Sequence, residues 1–197
     1  MRKEIEKVII ESINTKQHLL ENNRLIEQIE LLSNKIVNCF KNNGKLVICG
    51  NGGSASDALH FAGEIVGRFL KERKPWPAVV LNADVTTLTA IANDYGYDEA
   101  FARQAEAHLT AKDIFIGIST SGNSSNVVKA VEVARKIGAY TVAFLGKDGG
   151  KIKRLVDIPI VIPCNTTARV QECHIMVIHI VCELVEALMG HIELNER

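Results

Sequence analysis

His60 and Glu64 stand four residues apart within Val47–Phe69 (VICGNGGSASDALHFAGEIVGRF), a stretch whose residue types suit chemistry beside an anion. Helical spacing puts both side chains on one face. There they could hold a metal ion, trade protons as an acid–base pair, or only hydrogen-bond across the helix surface. Upstream, the stretch passes from an apolar strand through a turn containing Gly50, Gly52 and Gly53 into a helix, with Ser54 or Ser56 as its expected cap. Unpaired backbone N–H groups and the positive end of the helix dipole meet at such a turn and make it an anion site. An anion cradle beside a polar pair suggests a phosphorylated substrate that reacts next to its phosphate.

A second loop, Ser119-Thr120-Ser121-Gly122-Asn123-Ser124, also joins a strand to a helix. Hydroxyls and backbone N–H groups bind a phosphate dianion without a lysine, although Ser and Asn equally serve as caps and turn formers. Neither loop has the spacing of a Walker loop or of G-x-G-x-x-G, which disfavours nucleotide binding. The last helix, ARVQECHIMVIHIVCEL, reads as buried yet carries Gln171, Glu172, His174 and His179. Leaving such groups buried and unpaired costs about 1–3 kcal/mol each, so each requires a partner. Gln171 and His179 are offset by about 80° around the helix and about 12 Å along it. They meet on one ion only if both lean inward or if subunits share the site. Imidazole nitrogens and a carboxylate suit zinc, with a glutamine oxygen as a weaker ligand.

The elements that must position these groups follow from periodicity. Apolar residues at helical spacing predict helices over 3–21 and over Arg24–Lys41, forming an N-terminal hairpin suited to oligomer contacts. Beyond it, strands are expected at Lys45–Cys49, Ala78–Leu81, Asp113–Ile118, Tyr140–Leu145 and Ile158–Ile162, with Pro159 marking the last as an edge. Helices are expected from the glycine turn to Leu70, over Val85–Ala92, 98–109, Ser125–Ile137 and Ala168–Met189, with Asn93–Gly96 as a turn. Strands alternating with helices imply an α/β fold, a doubly wound parallel five-stranded sheet in three α/β/α layers. The chain reads as a single domain, 1–197, with the hairpin over 1–43 and the α/β core over 44–197.

Composition narrows the setting. Lysine plus arginine and aspartate plus glutamate both number 23, so no net field favours nucleic acid or an anionic membrane. No run is long and uncharged enough to span a bilayer, and the charged N-terminus is a poor signal peptide. Five cysteines without a C-x-x-C pair read as reduced thiols in the cytoplasm.

The order and spacing of GNGGSASDALH with Glu64, AIANDYG, GISTSGNSSN, GKDGG and RVQECHIMVIH closely resemble the bacterial phosphoheptose isomerases of the sugar-isomerase (SIS) family, over nearly the whole chain. The resemblance implies a flavodoxin-like SIS fold and a homotetramer with active sites at subunit interfaces. It also implies one zinc ion per subunit. It places the zinc ligands on His60, Glu64, Gln171 and His179, with Glu64 as catalytic base and His179 as acid. Substrate contacts fall on Asn51, Gly52, Gly53, Ser54, Glu64, Asn93, Asp94, Ser119, Thr120, Ser121, Ser124 and Gln171, and Arg68 near the sugar phosphate. The implied reaction converts sedoheptulose 7-phosphate to D-glycero-D-manno-heptose 7-phosphate through an enediol, as the first step toward nucleotide-activated heptose. The alternative is a non-catalytic SIS protein that binds the replication initiator; that branch lacks counterparts of Glu64 and His179, and this chain has both.

Overall fold

Apolar runs at Leu46–Gly50 (β1), Ile114–Ser119 (β3) and Tyr140–Gly146 (β4) are buried along almost their whole length, as strands covered on both faces must be. Ala78–Val80 (β2) and Ile158–Ile162 (β5) lie outside them, and all five strands pair parallel in the order β2-β1-β3-β4-β5. Pro159 faces Ala143 on the edge strand, where its missing N–H costs no ladder bond. The expected doubly wound sheet is therefore present. A computed structural model describes residues 1–191, so the last six positions of the expected 1–197 domain lie outside the described residues.

The helices are Arg2–Leu20 (α1), Asn23–Lys41 (α2), Gly53–Val66 (α3), Val85–Tyr95 (α4), Ala102–His108 (α5), Ser125–Ile137 (α6) and Thr167–Leu188 (α7). On one face of the sheet, Leu32 and Ile36 of α2, Phe61 and Ile65 of α3, and Val177 and Val181 of α7 pack on Ile48, Ile116 and Phe144. On the other, Ala105 of α5 and Val127, Ala130 and Val131 of α6 pack on Val47, Phe115 and Ala143. Adjacent strand residues thus feed opposite cores, as strand alternation requires. Helix α2 is a full member of the first layer, whereas α1 buries only Leu19 and leaves Ile5, Val8, Ile9, Ile10 and Ile13 exposed.

Four boundaries differ from expectation, each for a local reason. Helix α3 is capped by Gly52, at φ +56°, rather than by Ser54 or Ser56; that backbone region suits glycine. The same helix stops at Val66 rather than near Leu70, because Gly67 leaves helical geometry and the chain turns back. Helix α4 runs on through Asn93 and Asp94 to Tyr95, and Gly96, at φ +92°, ends it. The helix expected over 98–109 divides into a 3-10 turn at Tyr97–Glu99 and α5.

His174 is fully buried on α7, with Nε2 3.0 Å from the Leu145 carbonyl and Nδ1 unpartnered. A carbonyl can only accept, so Nε2 carries the proton. Burial lowers the imidazole from its usual value to about 4, against the opposing pull of the Leu145 bond. An unfolded chain therefore takes up a proton between about pH 6.5 and 4 that the folded chain refuses, and stability falls as pH drops through that window. The loss from this one group is about 3 kcal/mol. Urea unfolding at pH 7 and pH 4.5 should show a smaller acid loss in His174→Gln, which keeps a donor but does not titrate. Equal acid sensitivity in both proteins would contradict the assignment.

Candidate active site

The strand order reverses direction between β1 and β3, and crevices beyond the carboxyl ends of strands at such a switch are where ligands bind in open α/β sheets. Both loops singled out in the sequence leave from there: Asn51-Gly52 follows β1, and Thr120–Ser124 follows β3.

Helices α3 and α7 lie side by side with their residue numbers running in step. At the start of α3, a Cβ on Gly53 would come within 2.3 Å of Gln171 Nε2, so glycine here leaves room for the Gln171 amide to rest on the turn. Two turns further on, His60 Nε2 and His179 Nε2 are 3.2 Å apart, and Glu64 Oε1 lies 3.0 Å from His60 Nε2. One ligand atom from each of His60, Glu64 and His179 lies within 4.8 Å of the others. A tetrahedral zinc ion with bonds of about 2.0–2.1 Å holds its ligand atoms about 3.3 Å apart, so the two short edges of this trio fit such an ion. A cation between the two facing imidazole nitrogens would take the place of any proton they share. The trio is open to solvent, with the His60 and Glu64 side chains 45% and 25% exposed. The Phe69 ring covers His179 at 5.7 Å between centroids.

Gln171 sits over the glycine turn, two turns along α7 from His179, and its amide has no hydrogen-bond partner among the described residues. Glu172 and His174 belong elsewhere. Glu172 accepts from Ser12 Oγ at 2.7 Å and pairs with Arg169, tying α7 to α1, while His174 turns into the core. Of the four polar residues read from this helix, the structure aims Gln171 and His179 at α3.

The hydroxyl loop is held from behind. Ser119 Oγ lies 2.9 Å from Ser124 Oγ and 3.4 Å from Ser121 Oγ; Ser124 makes no side-chain cap bond to α6, and Val127 N donates to Asn126 Oδ1 at 2.9 Å. The start of α6, with the positive end of its dipole, stands beside the loop. Gly122, at φ +64°, lies against the Gly149-Gly150 turn, while Ile152 N donates to Gly122 O and Lys151 N to Asn123 Oδ1. Thr120 is half-buried in the same loop. Asn51 is braced by Asn126 in a reciprocal amide pair of 2.9 and 3.0 Å and accepts from Tyr97 OH at 2.8 Å. Ser54 is buried, its N–H donating to Asn51 O.

Three predicted contacts stand apart. Asn93 and Asp94 are exposed at the end of α4 and bonded to each other, and Arg68 is exposed beside Glu72 at 3.6 Å. None makes a hydrogen bond to the trio or the hydroxyl loop in the single chain. Sequence reasoning missed Asn126, Tyr97, Phe69 and Asp57. Asn126 carried a signal, since it ends the same polar run as Ser124. Asp57, one turn before His60, has a buried carboxylate oxygen without a partner; burial lifts its carboxyl to about 6, against the pull of His60.

Residues 11–146 match the SIS domain family model. A phosphoheptose isomerase from Citrifermentans bemidjiense is 54% identical over 158 residues, covering 80% of this chain and 82% of that protein. One from Sulfurimonas denitrificans is 46% identical over 94% of this chain and 95% of its own length. The solved phosphoheptose isomerase of Neisseria gonorrhoeae superposes with a TM-score of 0.89 at 40% identity, covering 94% of this chain and 98% of that one.

An alanine Cβ at Gly122 would lie 2.1 Å from Gly149 O at a φ that alanine disfavours. Gly122→Ala should therefore displace the hydroxyl loop at a cost of about 1–3 kcal/mol and weaken inorganic phosphate binding about tenfold or more. Calorimetric titration checks it; unchanged phosphate affinity would show that this loop is not the anion cradle.

Proposed function

The chain belongs to the SIS-domain phosphoheptose isomerases, and we infer from that membership that it converts sedoheptulose 7-phosphate to D-glycero-D-manno-heptose 7-phosphate. The observation that carries this reading in the chain itself is the meeting of His60 and Glu64 with His179 across 119 residues of sequence. A ketose–aldose isomerisation needs a carboxylate over the carbons that exchange a proton and an acid beside their oxygens. Glu64 takes a proton from C1 and returns it at C2, while His179 donates to and recovers a proton from the neighbouring oxygens. Ser119, Thr120, Ser121 and Ser124 receive the phosphate, with the α6 N-terminus behind them. The far end of the sugar is thereby fixed and the reacting carbons are held beside α3. Asn51, Gly52, Gly53 and Ser54 grip sugar hydroxyls from the opposite loop.

His60, Glu64 and His179 would hold a zinc ion, and Gln171, two turns back along α7, would join them as fourth ligand by leaning toward the trio or from a neighbouring subunit. When bound, the ion supplies Lewis-acid polarisation of the substrate carbonyl. A carboxylate has two oxygens, so Glu64 can spare one for the ion and keep the other for the proton.

Arg68, Asn93 and Asp94 gain a role if neighbouring subunits complete the site. A homotetramer is supported by Ile5, Val8, Ile9, Ile10 and Ile13, apolar residues that α1 leaves exposed and that a neighbouring subunit would cover. A cytoplasmic setting and supply of heptose for lipopolysaccharide fit the reaction, and among the described residues no helix is long and apolar enough to cross a membrane. The initiator-binding alternative is not favoured, since the relatives bear the isomerase name and both proton-transfer residues are in place.

With sedoheptulose 7-phosphate as substrate, Glu64→Gln should lower kcat by about 10³ or more. Chelation should abolish activity, and added zinc should restore it. A Glu64→Gln protein that keeps most of its activity at unchanged zinc content would sink the assignment of the base.

A further inference from the structure

Behind the trio, the end of α3 is fastened to α7 by a buried ion pair that no step of the reaction uses. Arg73 and Glu186 have side chains 1% and 0% exposed, with Nε 2.9 Å from Oε1. Glu186 also accepts from three successive backbone amides: Phe69 at 3.0 Å, Leu70 at 2.9 Å and Lys71 at 3.2 Å. Burial alone would raise its carboxyl, but these amides and Arg73 hold it below the usual carboxylate range. Arg73 donates in turn to the carbonyls of Glu64 at 2.8 Å and Ile65 at 3.0 Å, both in the last turn of α3. Its guanidinium lies over Trp76 at 3.6 Å, and Trp76 stacks on Phe40 of α2.

We propose that the Arg73–Glu186 pair is the positioning device of this active site, setting the placement of Glu64 relative to His179. Three connections lead from it to the trio. Arg73 bonds the backbone oxygen of Glu64 itself. Glu186 lies seven residues after His179, about 20° off the same face of α7, so the two share a rigid element. Glu186 also holds the amide of Phe69, whose ring packs on His179. A guanidinium at a helix C-terminus satisfies carbonyls that otherwise lack partners. A buried ion pair, however, adds little stability over an apolar pair of equal volume. Its benefit here is geometric: one charged pair references the α3 carboxylate and the α7 imidazole to each other.

This inference rests on the isomerase reading, and the test separates the two. In Glu186→Gln and in the double variant Arg73→Met/Glu186→Leu, kcat, KM for sedoheptulose 7-phosphate and zinc affinity by competition titration are measured, at a temperature where circular dichroism shows the fold intact. The double variant replaces the charges with apolar volume, so a purely structural role would be rescued in it. We expect kcat to fall about tenfold or more, KM to change less than about twofold, and zinc to bind about tenfold more weakly in both. Either variant, folded and with kcat within about twofold of the parent, would overturn the proposal, even if its melting temperature were lower. A parent protein that does not isomerise the substrate would instead overturn the isomerase reading.

Discussion

Everything in this site depends on how closely α3 and α7 approach. The two helices come from opposite ends of the α/β region, yet they lie on the same face of the sheet with Gly53 against Gln171. A side chain at Gly53 would push the Gln171 amide away from the turn. The buried Arg73–Glu186 pair fastens the end of α3 to α7. The polar residues between them can therefore stay solvent-exposed and still be well placed.

The sheet topology makes that approach useful. The reversal of strand order between β1 and β3 brings the start of α3 and the hydroxyl loop after β3 to the switch point where open α/β sheets bind ligands. The loop is shaped by elements that never touch substrate. The Gly149-Gly150 turn presses on Gly122, and Asn126 holds Asn51 through a reciprocal amide pair. A site assembled from loops gains precision when each loop is pinned to a neighbouring element, and both of these are.

Much of this was legible in the sequence. The five strands, their parallel winding and the edge position of β5 followed from apolar runs, helix alternation and Pro159. The pairing of His60 with Glu64 followed from helical spacing alone. What the sequence could not show was anything set by backbone reversal or by contact between distant elements. Gly52 rather than a serine caps α3, because its positive φ is a property of the turn and not of any side-chain pattern. Glu172 and His174 looked as eligible as Gln171 and His179, since one helix turn separates residues facing α1, the core and α3. Arg73 and Glu186 are 113 residues apart in the sequence with no motif to link them, and only the folded chain brings them together. Arg68, Asn93 and Asp94 were placed by resemblance, and the isolated chain gives them no partner in the trio.

The central claim is that the trio moves a proton between adjacent carbons, with Glu64 as carrier. Because Glu64 is partly open to water, a proton it carries exchanges with solvent before it is returned. The most direct test is to run the conversion of sedoheptulose 7-phosphate in deuterium oxide and locate deuterium in the heptose product by NMR. Proton transfer through Glu64 predicts deuterium at C2 of the product. Product formed at a normal rate with C2 fully protonated would mean that hydrogen passes directly between the carbons, and the account of the site given above would be wrong.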